Sequence, residues 1–140
     1  FIKDETFMLT YGDGVCDVNI KKLTEFHKAN KSKVTMTAIQ PAGRFGALDI
    51  NSNLVNEFVE KPAGDGNWVN GGFMVCEPEV LDLIDSDSTI FAKDPLQILA
   101  KDGNLSAFKH NGFWQCMDTL RDKTALNKLW DENQAPWKIW

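Results

Sequence analysis

Cysteine is scarce in this sequence. Cys16, Cys76 and Cys116 are the only three in 140 residues, an odd number with no CxxC spacing, so the pattern suggests neither a disulfide framework nor a zinc site, and a reducing compartment fits best. Basic residues are also in deficit. With 15 Lys and Arg against 20 Asp and Glu, a net charge of −5 and a pI near 4.9, sequence-independent nucleic-acid binding is disfavoured, because it requires cations to displace counterions from many phosphates. An anionic substrate would instead need a metal, a few placed basic residues or backbone N–H groups. Long apolar runs are missing: none approaches the roughly 20 residues of a membrane helix, and no basic start with an apolar middle opens the chain. A cytoplasmic protein without a membrane partner is expected. His27 and His110 have no Ser or Cys partner in a triad pattern and receive no catalytic role.

What is present, 43% hydrophobic and 25% charged residues, suits one soluble domain with one core. The chain opens at Phe1 rather than Met and runs almost at once into a strand, which reads as a piece of something longer. Thr6 to Tyr11 is a short apolar run ended by Gly12-Asp13-Gly14, the pattern of a buried strand emptying into a tight turn. From the N-cap candidate Asn19, Ile20, Leu23 and Phe26 recur at helical spacing through His27. Lys33 to Ile39 then alternates and is rich in β-branched residues, so strand, helix and strand read as a crossover unit of an α/β sheet. Gly46 to Ile50 and Leu54 to Glu60 predict a hairpin about Asn51-Ser52-Asn53, and 61–67 is a polar loop. Trp68 to Cys76 returns as a strand in which Gly71-Gly72 implies close backbone approach. Pro78 and Pro95 open helices, brief strands flank His110-Asn111-Gly112, and a helix runs from about Leu120 to Trp130. The expected class is α/β, a mixed and mainly parallel sheet flanked by helices with a β-hairpin insertion, and no internal repeat or linker.

Several residues have the chemistry for a site, each with an ordinary structural alternative. Asp13, between glycines after a strand, presents a carboxylate where α/β sheets bind ligands and could be one ligand of a hard cation; Gly-Asp-Gly is equally a common turn. Asp17 reads as a solvated or capping residue. Asp118, just before a helix, is either its cap or a second metal carboxylate from another strand. Glu60 and Lys61, at a strand end before Pro62, could meet sugar hydroxyls and a phosphate, or could simply be solvated. Asn70 before two glycines could read a ligand's hydroxyls, with a β-bulge as the alternative. Arg44-Phe45-Gly46 could line a phosphosugar pocket or an exposed loop. The five tryptophans read as core or interface residues before stacking platforms.

In their order and approximate spacing, Thr10-Tyr-Gly-Asp-Gly-Val-Cys-Asp17, Gly43-Arg-Phe-Gly-Ala-Leu-Asp49, Phe58-Val-Glu-Lys-Pro62, Asn70-Gly-Gly-Phe73 and Phe113-Trp-Gln-Cys-Met-Asp-Thr-Leu-Arg-Asp122, with the Ala135-Pro-Trp-Lys138 ending, resemble the glucose-1-phosphate cytidylyltransferases. These are a branch of the sugar-phosphate nucleotidyltransferase family. The resemblance covers essentially the whole chain and implies a Rossmann-like nucleotidyltransferase fold, of which residues 1–140 would be the C-terminal portion of a single domain. It implies Mg²⁺ held by Asp13 and Asp118, glucose hydroxyls bonded by Glu60 and Asn70, the sugar phosphate met by Lys61, and a pocket lined by Tyr11, Gly12 and Gly46. The implied reaction joins CTP and glucose 1-phosphate into CDP-glucose and pyrophosphate, and needs alignment and charge neutralisation more than a protein nucleophile. A homo-oligomer and a role in bacterial surface polysaccharide, including lipopolysaccharide O-antigen, are implied as well.

One departure is large. Members of that family open with a Gly-Gly-x-Gly-Thr-Arg-Leu loop and a nearby Lys-Pro segment that grip the triphosphate and base, and neither occurs in these 140 residues. The chain on its own would therefore be expected to lack most of the CTP site and to be inactive. Two other readings remain at this level. A metal-dependent glycosyltransferase would want an Asp-x-Asp motif, whereas the carboxylates around Asp13 are four apart; a non-catalytic sugar-binding domain leaves Asp118 unexplained.

Overall fold

The computed structural model describes residues 4–41, 47–51, 54–59 and 67–139. Its main sheet has four strands in the order β1 (Phe7–Thr10), β6 (Val69–Cys76), β3 (Val34–Ile39), β7 (Leu105–His110). β6 pairs antiparallel with both β1 and β3, and β3 pairs parallel with β7. The sheet is thus mixed: β1, β3 and β7 share one direction and β6 opposes them. The expected crossover from β1 through α1 (Ile20–Asn30) to β3 is present with β6 inserted between its two strands. β3, the most buried strand, is built of Val34, Thr35, Ala38 and Ile39 around Thr37, nearly all inaccessible, as expected for a β-branched central strand covered on both faces.

One face of the sheet carries a cluster of Val34, Met74, Cys76, Val80, Leu96 and Leu99, with Phe7, Leu9 and Leu105 against it. Each of the larger aliphatic side chains contributes about 1.5–3 kcal/mol through removal from water. Leu96 and Leu99 come from α2 (Asp94–Lys101), which opens on Pro95 as expected. Val80 comes from Pro78–Leu83, which is a 3-10 helix, and Leu81 and Ile84 beside it are exposed. A helix opened by Pro78 is expected there; the tighter 3-10 winding fully buries only Val80.

α1 starts where Asn19 caps it, the Asn19 side chain accepting from the Lys22 amide at 2.9 Å, and it buries Leu23 and His27. His27 is 1% exposed. Its Nδ1 lies 2.8 Å from Thr35 Oγ1 and its Nε2 2.9 Å from Glu77 Oε1, and Thr6 donates to the same Glu77 carboxylate at 3.1 Å. This network joins α1, β3, the end of β6 and the start of β1, and leaves neither imidazole nitrogen without a partner. The hairpin is β4 (Ala47–Asn51) with β5 (Leu54–Val59), antiparallel.

The strands flanking His110-Asn111-Gly112 go to different sheets. β7 is an edge of the main sheet, whereas β8 (Trp114–Cys116) pairs antiparallel with β2 (Gly14–Cys16) in a separate two-stranded ribbon. α3 (Leu120–Asp131) follows β8 and buries Leu126. Among the described residues no helix is long and apolar enough to cross a membrane.

Candidate active site

Because β1, β3 and β7 run the same way, their carboxyl ends lie along one edge, where β6 begins. This is the edge at which α/β sheets take ligands. β1 leads there into Tyr11-Gly12-Asp13, β7 ends there at His110, and Asn70 stands near the start of β6.

The β2–β8 ribbon brings together the two ends of the chain that carry the candidate metal ligands. In its register Gly14 faces Cys116 and Cys16 faces Trp114, and the ladder is extended by the Met117 amide donating to the Asp13 carbonyl at 2.8 Å. Asp13 and Asp118 therefore occupy adjoining ends of paired strands. Both are exposed. Among the described residues the Asp13 carboxylate has no hydrogen bond, and Asp118 Oδ2 accepts only the Cys116 thiol at 3.2 Å. The capping reading of Asp118 is not realised. Thr119 caps α3, its hydroxyl accepting from the Asp122 amide at 3.2 Å while the Asp122 carboxylate accepts from the Thr119 amide at 3.0 Å. With the helix start closed by that reciprocal pair, the Asp118 carboxylate has no capping role.

Tyr11 and Asn70 are joined directly, the Asn70 amide donating to the Tyr11 hydroxyl at 3.1 Å while its Oδ1 accepts the Gly72 amide at 2.8 Å. The close approach expected at Gly71-Gly72 has two causes. A Cβ on Gly71 would lie 3.1 Å from the Thr37 carbonyl, and one on Gly72, whose φ is +79°, would lie 2.8 Å from the Tyr11 ring. The β3–β6 register shifts between Met36 and Ala38 at this point, so the bulge anticipated as the structural alternative is present. Trp114 secures it from the ribbon, Nε1 donating to the Gly71 carbonyl at 2.8 Å. Gly12 differs: a Cβ there would meet nothing within 4 Å. Arg44, Gly46, Glu60 and Lys61, the other residues picked out for a phosphosugar pocket, lie outside the described residues.

Asp17 and His110, given no joint role by their sequence context, are paired in the structure. Asp17 caps nothing; its Oδ1 accepts from His110 Nε2 at 2.8 Å, and the same nitrogen is 3.3 Å from the Phe113 carbonyl. Both partners are acceptors, so Nε2 carries a proton and the tautomer is set. The pair depends on Gly112, where a Cβ would collide with Asp17 Oδ1 and lie 2.6 Å from His110 Cε1. A cavity of about 430 Å³ opens beside it, lined by Ile39, Gln40, His110, Gly112, Trp114 and Gln115 among others. Cys16 lies close to the pair. Burial, helped by the charge of Asp17, pushes its thiol up to about 11 against bonds from the Val18 and Asp17 amides. Burial and the Asp118 carboxylate also raise the Cys116 thiol. Single residues scattered at positions 16, 17, 110 and 112 have no spacing pattern; only the strand pairing reveals them.

A mixed α/β sheet with two exposed carboxylates at its carboxyl edge is an architecture suited to phosphate and sugar-phosphate chemistry. Residues 1–132 match the family described as nucleotidyl transferase, and the chain belongs to that family. It is 57% identical over 137 residues to glucose-1-phosphate cytidylyltransferase of Salmonella typhimurium, across 98% of this chain and 53% of that protein. It is 35% identical over 127 residues to mannose-1-phosphate guanyltransferase of Saccharomyces cerevisiae, across 86% of this chain and 35% of that protein. In fold it is similar to HddC from Yersinia pseudotuberculosis, with a TM-score of 0.65 at 22% identity, across 93% of this chain and 57% of that one. The chain spans about half the length of the cytidylyltransferase it matches.

Proposed function

We propose that this chain is the sugar-phosphate and metal half of a glucose-1-phosphate cytidylyltransferase, the full-length protein making CDP-glucose and pyrophosphate from CTP and glucose 1-phosphate. The observation that carries the reading is the ladder bond from Met117 to Asp13, which ties the turn holding Asp13 to the residue just before Asp118. Similarity to the Salmonella typhimurium cytidylyltransferase over nearly the whole chain supports the choice of base and sugar.

The two carboxylates fit a hard divalent cation. They are exposed, they keep acceptor oxygens free, and hard cations with few protein ligands use one or two carboxylates and complete their shell with water and phosphate oxygens. Asp13 and Asp118 would hold Mg²⁺, which supplies charge neutralisation for the phosphates when bound. The chain's own residues do the positioning. Asn70, fixed by its bonds to Tyr11 and Gly72, would present its amide to a sugar hydroxyl, and Gly12, free of any steric demand from the described residues, would let a phosphate approach the main chain. Glu60 and Lys61 would meet the sugar hydroxyls and phosphate, and Gly46 would line the pocket. The sugar phosphate is itself the nucleophile, which accounts for the lack of a Ser or Cys triad. The Gly-rich sequence that would grip the triphosphate is not among these residues, so catalysis is assigned to the full-length protein, as a homo-oligomer.

The test is a pyrophosphate-release assay on the full-length protein with CTP and glucose 1-phosphate. Turnover that needs Mg²⁺ and prefers CTP over other nucleoside triphosphates is expected. Preference for another base would overturn the cytidylyl assignment, and full turnover after exhaustive chelation would overturn the metal assignment.

A further inference from the structure

We propose that Cys16, Asp17 and His110 form a second cation site, of thiolate, carboxylate and imidazole donors, that takes a divalent ion of the zinc class with one coordination position open to the neighbouring cavity. The three side chains come from the end of β2 and the end of β7, and their ligand atoms all lie within 4.8 Å of one another. Thiolate, carboxylate and imidazole are the donors zinc prefers, and three protein ligands with an open fourth position is the arrangement of zinc sites that exchange water or substrate. The site at Asp13 and Asp118 offers oxygen alone. The two sites at the ribbon would therefore sort ions by hardness, and the one with the thiolate does not depend on whether the oxygen site holds Mg²⁺.

Three features suit the cluster to an ion. All three residues are partly buried, so an ion would be shielded from bulk water on the protein side. His110 and Gly112 line the cavity of about 430 Å³, which gives an entry path and room for a fourth ligand. Gly112 has no side chain at the one point where a Cβ would fall among the Asp17 and His110 donor atoms. The adjustment required is small. Bonds of about 2.0–2.1 Å at tetrahedral angles place two oxygen or nitrogen ligands roughly 3.3 Å apart, so Asp17 Oδ1 and His110 Nε2, now 2.8 Å apart, open by roughly half an ångström as the ion takes the place of the Nε2 proton, Nδ1 taking up a proton so that the ring binds as neutral imidazole. Cys16 gives up its own proton to solvent as the ion binds.

The experiment titrates the full-length protein with Zn²⁺ by calorimetry, and with Co²⁺ by absorbance, both in excess Mg²⁺. One equivalent per chain is expected, with a thiolate-to-cobalt charge-transfer band that excess Mg²⁺ does not remove. Cys16→Ala should abolish the band and weaken Zn²⁺ at least about tenfold, Gly112→Ala should do likewise by filling the cluster, and Cys116→Ala should keep both. Circular dichroism establishes that each variant is folded, and Cys16→Ser replaces Cys16→Ala if the latter is not. Absence of the band in the unaltered protein, or its survival in the Cys16 variant, overturns the proposal.

Discussion

The Met117 amide donates to the Asp13 carbonyl across 2.8 Å, and through this single bond the turn after the first strand is tied to the segment just before the last helix. Removing either neighbouring carboxylate should disable chemistry without unfolding the chain, since both are exposed. Asp13→Asn and Asp118→Asn in the full-length protein are expected to lower kcat by about 10²–10³, with unchanged thermal melting. Steady-state kinetics over a Mg²⁺ series checks this. Wild-type kcat in either variant would remove that residue from the metal site.

Asn70 offers a test of sugar recognition. Asn70→Ala deletes the acceptor of the Gly72 amide and the donor to Tyr11, and KM for glucose 1-phosphate is expected to rise about tenfold or more, the equivalent of about 1.4 kcal/mol. Tyr11→Phe removes only the Tyr11 hydroxyl bond and should have the smaller effect. A change confined to KM for CTP would show that Asn70 does not read the sugar.

Gly72→Ala should cost stability by two routes. The backbone there has φ +79°, and the added methyl would sit 2.8 Å from the Tyr11 ring. Together these predict a loss of about 1–3 kcal/mol in urea unfolding. The paired control is Gly12→Ala, where a Cβ meets nothing within 4 Å, and its melting should match the parent while its activity falls.

Cys76 reports on folding and sets a pH limit. It is wholly buried, and burial first, with the Glu77 charge second, pushes its thiol from 9.0 up to about 12. At pH 8 its labelling by a thiol reagent should be about a thousandfold slower than that of an unfolded cysteine, in proportion to the thiolate fraction. The folded chain keeps this proton at pH values where the unfolded chain has lost it. Its contribution to stability is therefore complete below pH 9 and declines as the pH rises through 9 to 12. Denaturant midpoints measured from pH 8 upward should fall, and a flat profile that persists in Cys76→Ala and the parent alike would contradict the assignment.

Elements with a sustained pattern were legible from sequence. β3 alternates β-branched residues, α1 repeats apolar residues from Asn19 onward, and the hairpin about 51–53 is framed by turn formers, so each has a local cause that composition exposes. The β2–β8 ribbon was not legible. Three-residue strands have too few positions for a period, and β8 pairs with the chain's beginning rather than with the strand before it. The same pairing governed the site. Asp13 and Asp118 could be suspected one at a time, but their adjacency, and the partnership of Asp17 with His110, exist only once the ribbon closes. Thr119 took the cap that Asp118 could have filled because Asp122 stands three residues on and completes a reciprocal box. That choice is a competition between neighbouring side chains that propensity alone does not rank.

The opposed direction of β6 has a bearing on how such an enzyme can vary. Asn70 stands at the beginning of its strand, and it is held by Tyr11 at the end of β1 and by Gly72 downstream, where β6 runs on into the buried sheet. Trp68, two residues before it, is exposed and takes no part in that anchorage. An exposed rim that can vary beside a fixed anchor is a route by which one sheet could come to accept different ligands while its strand pairings stay as they are.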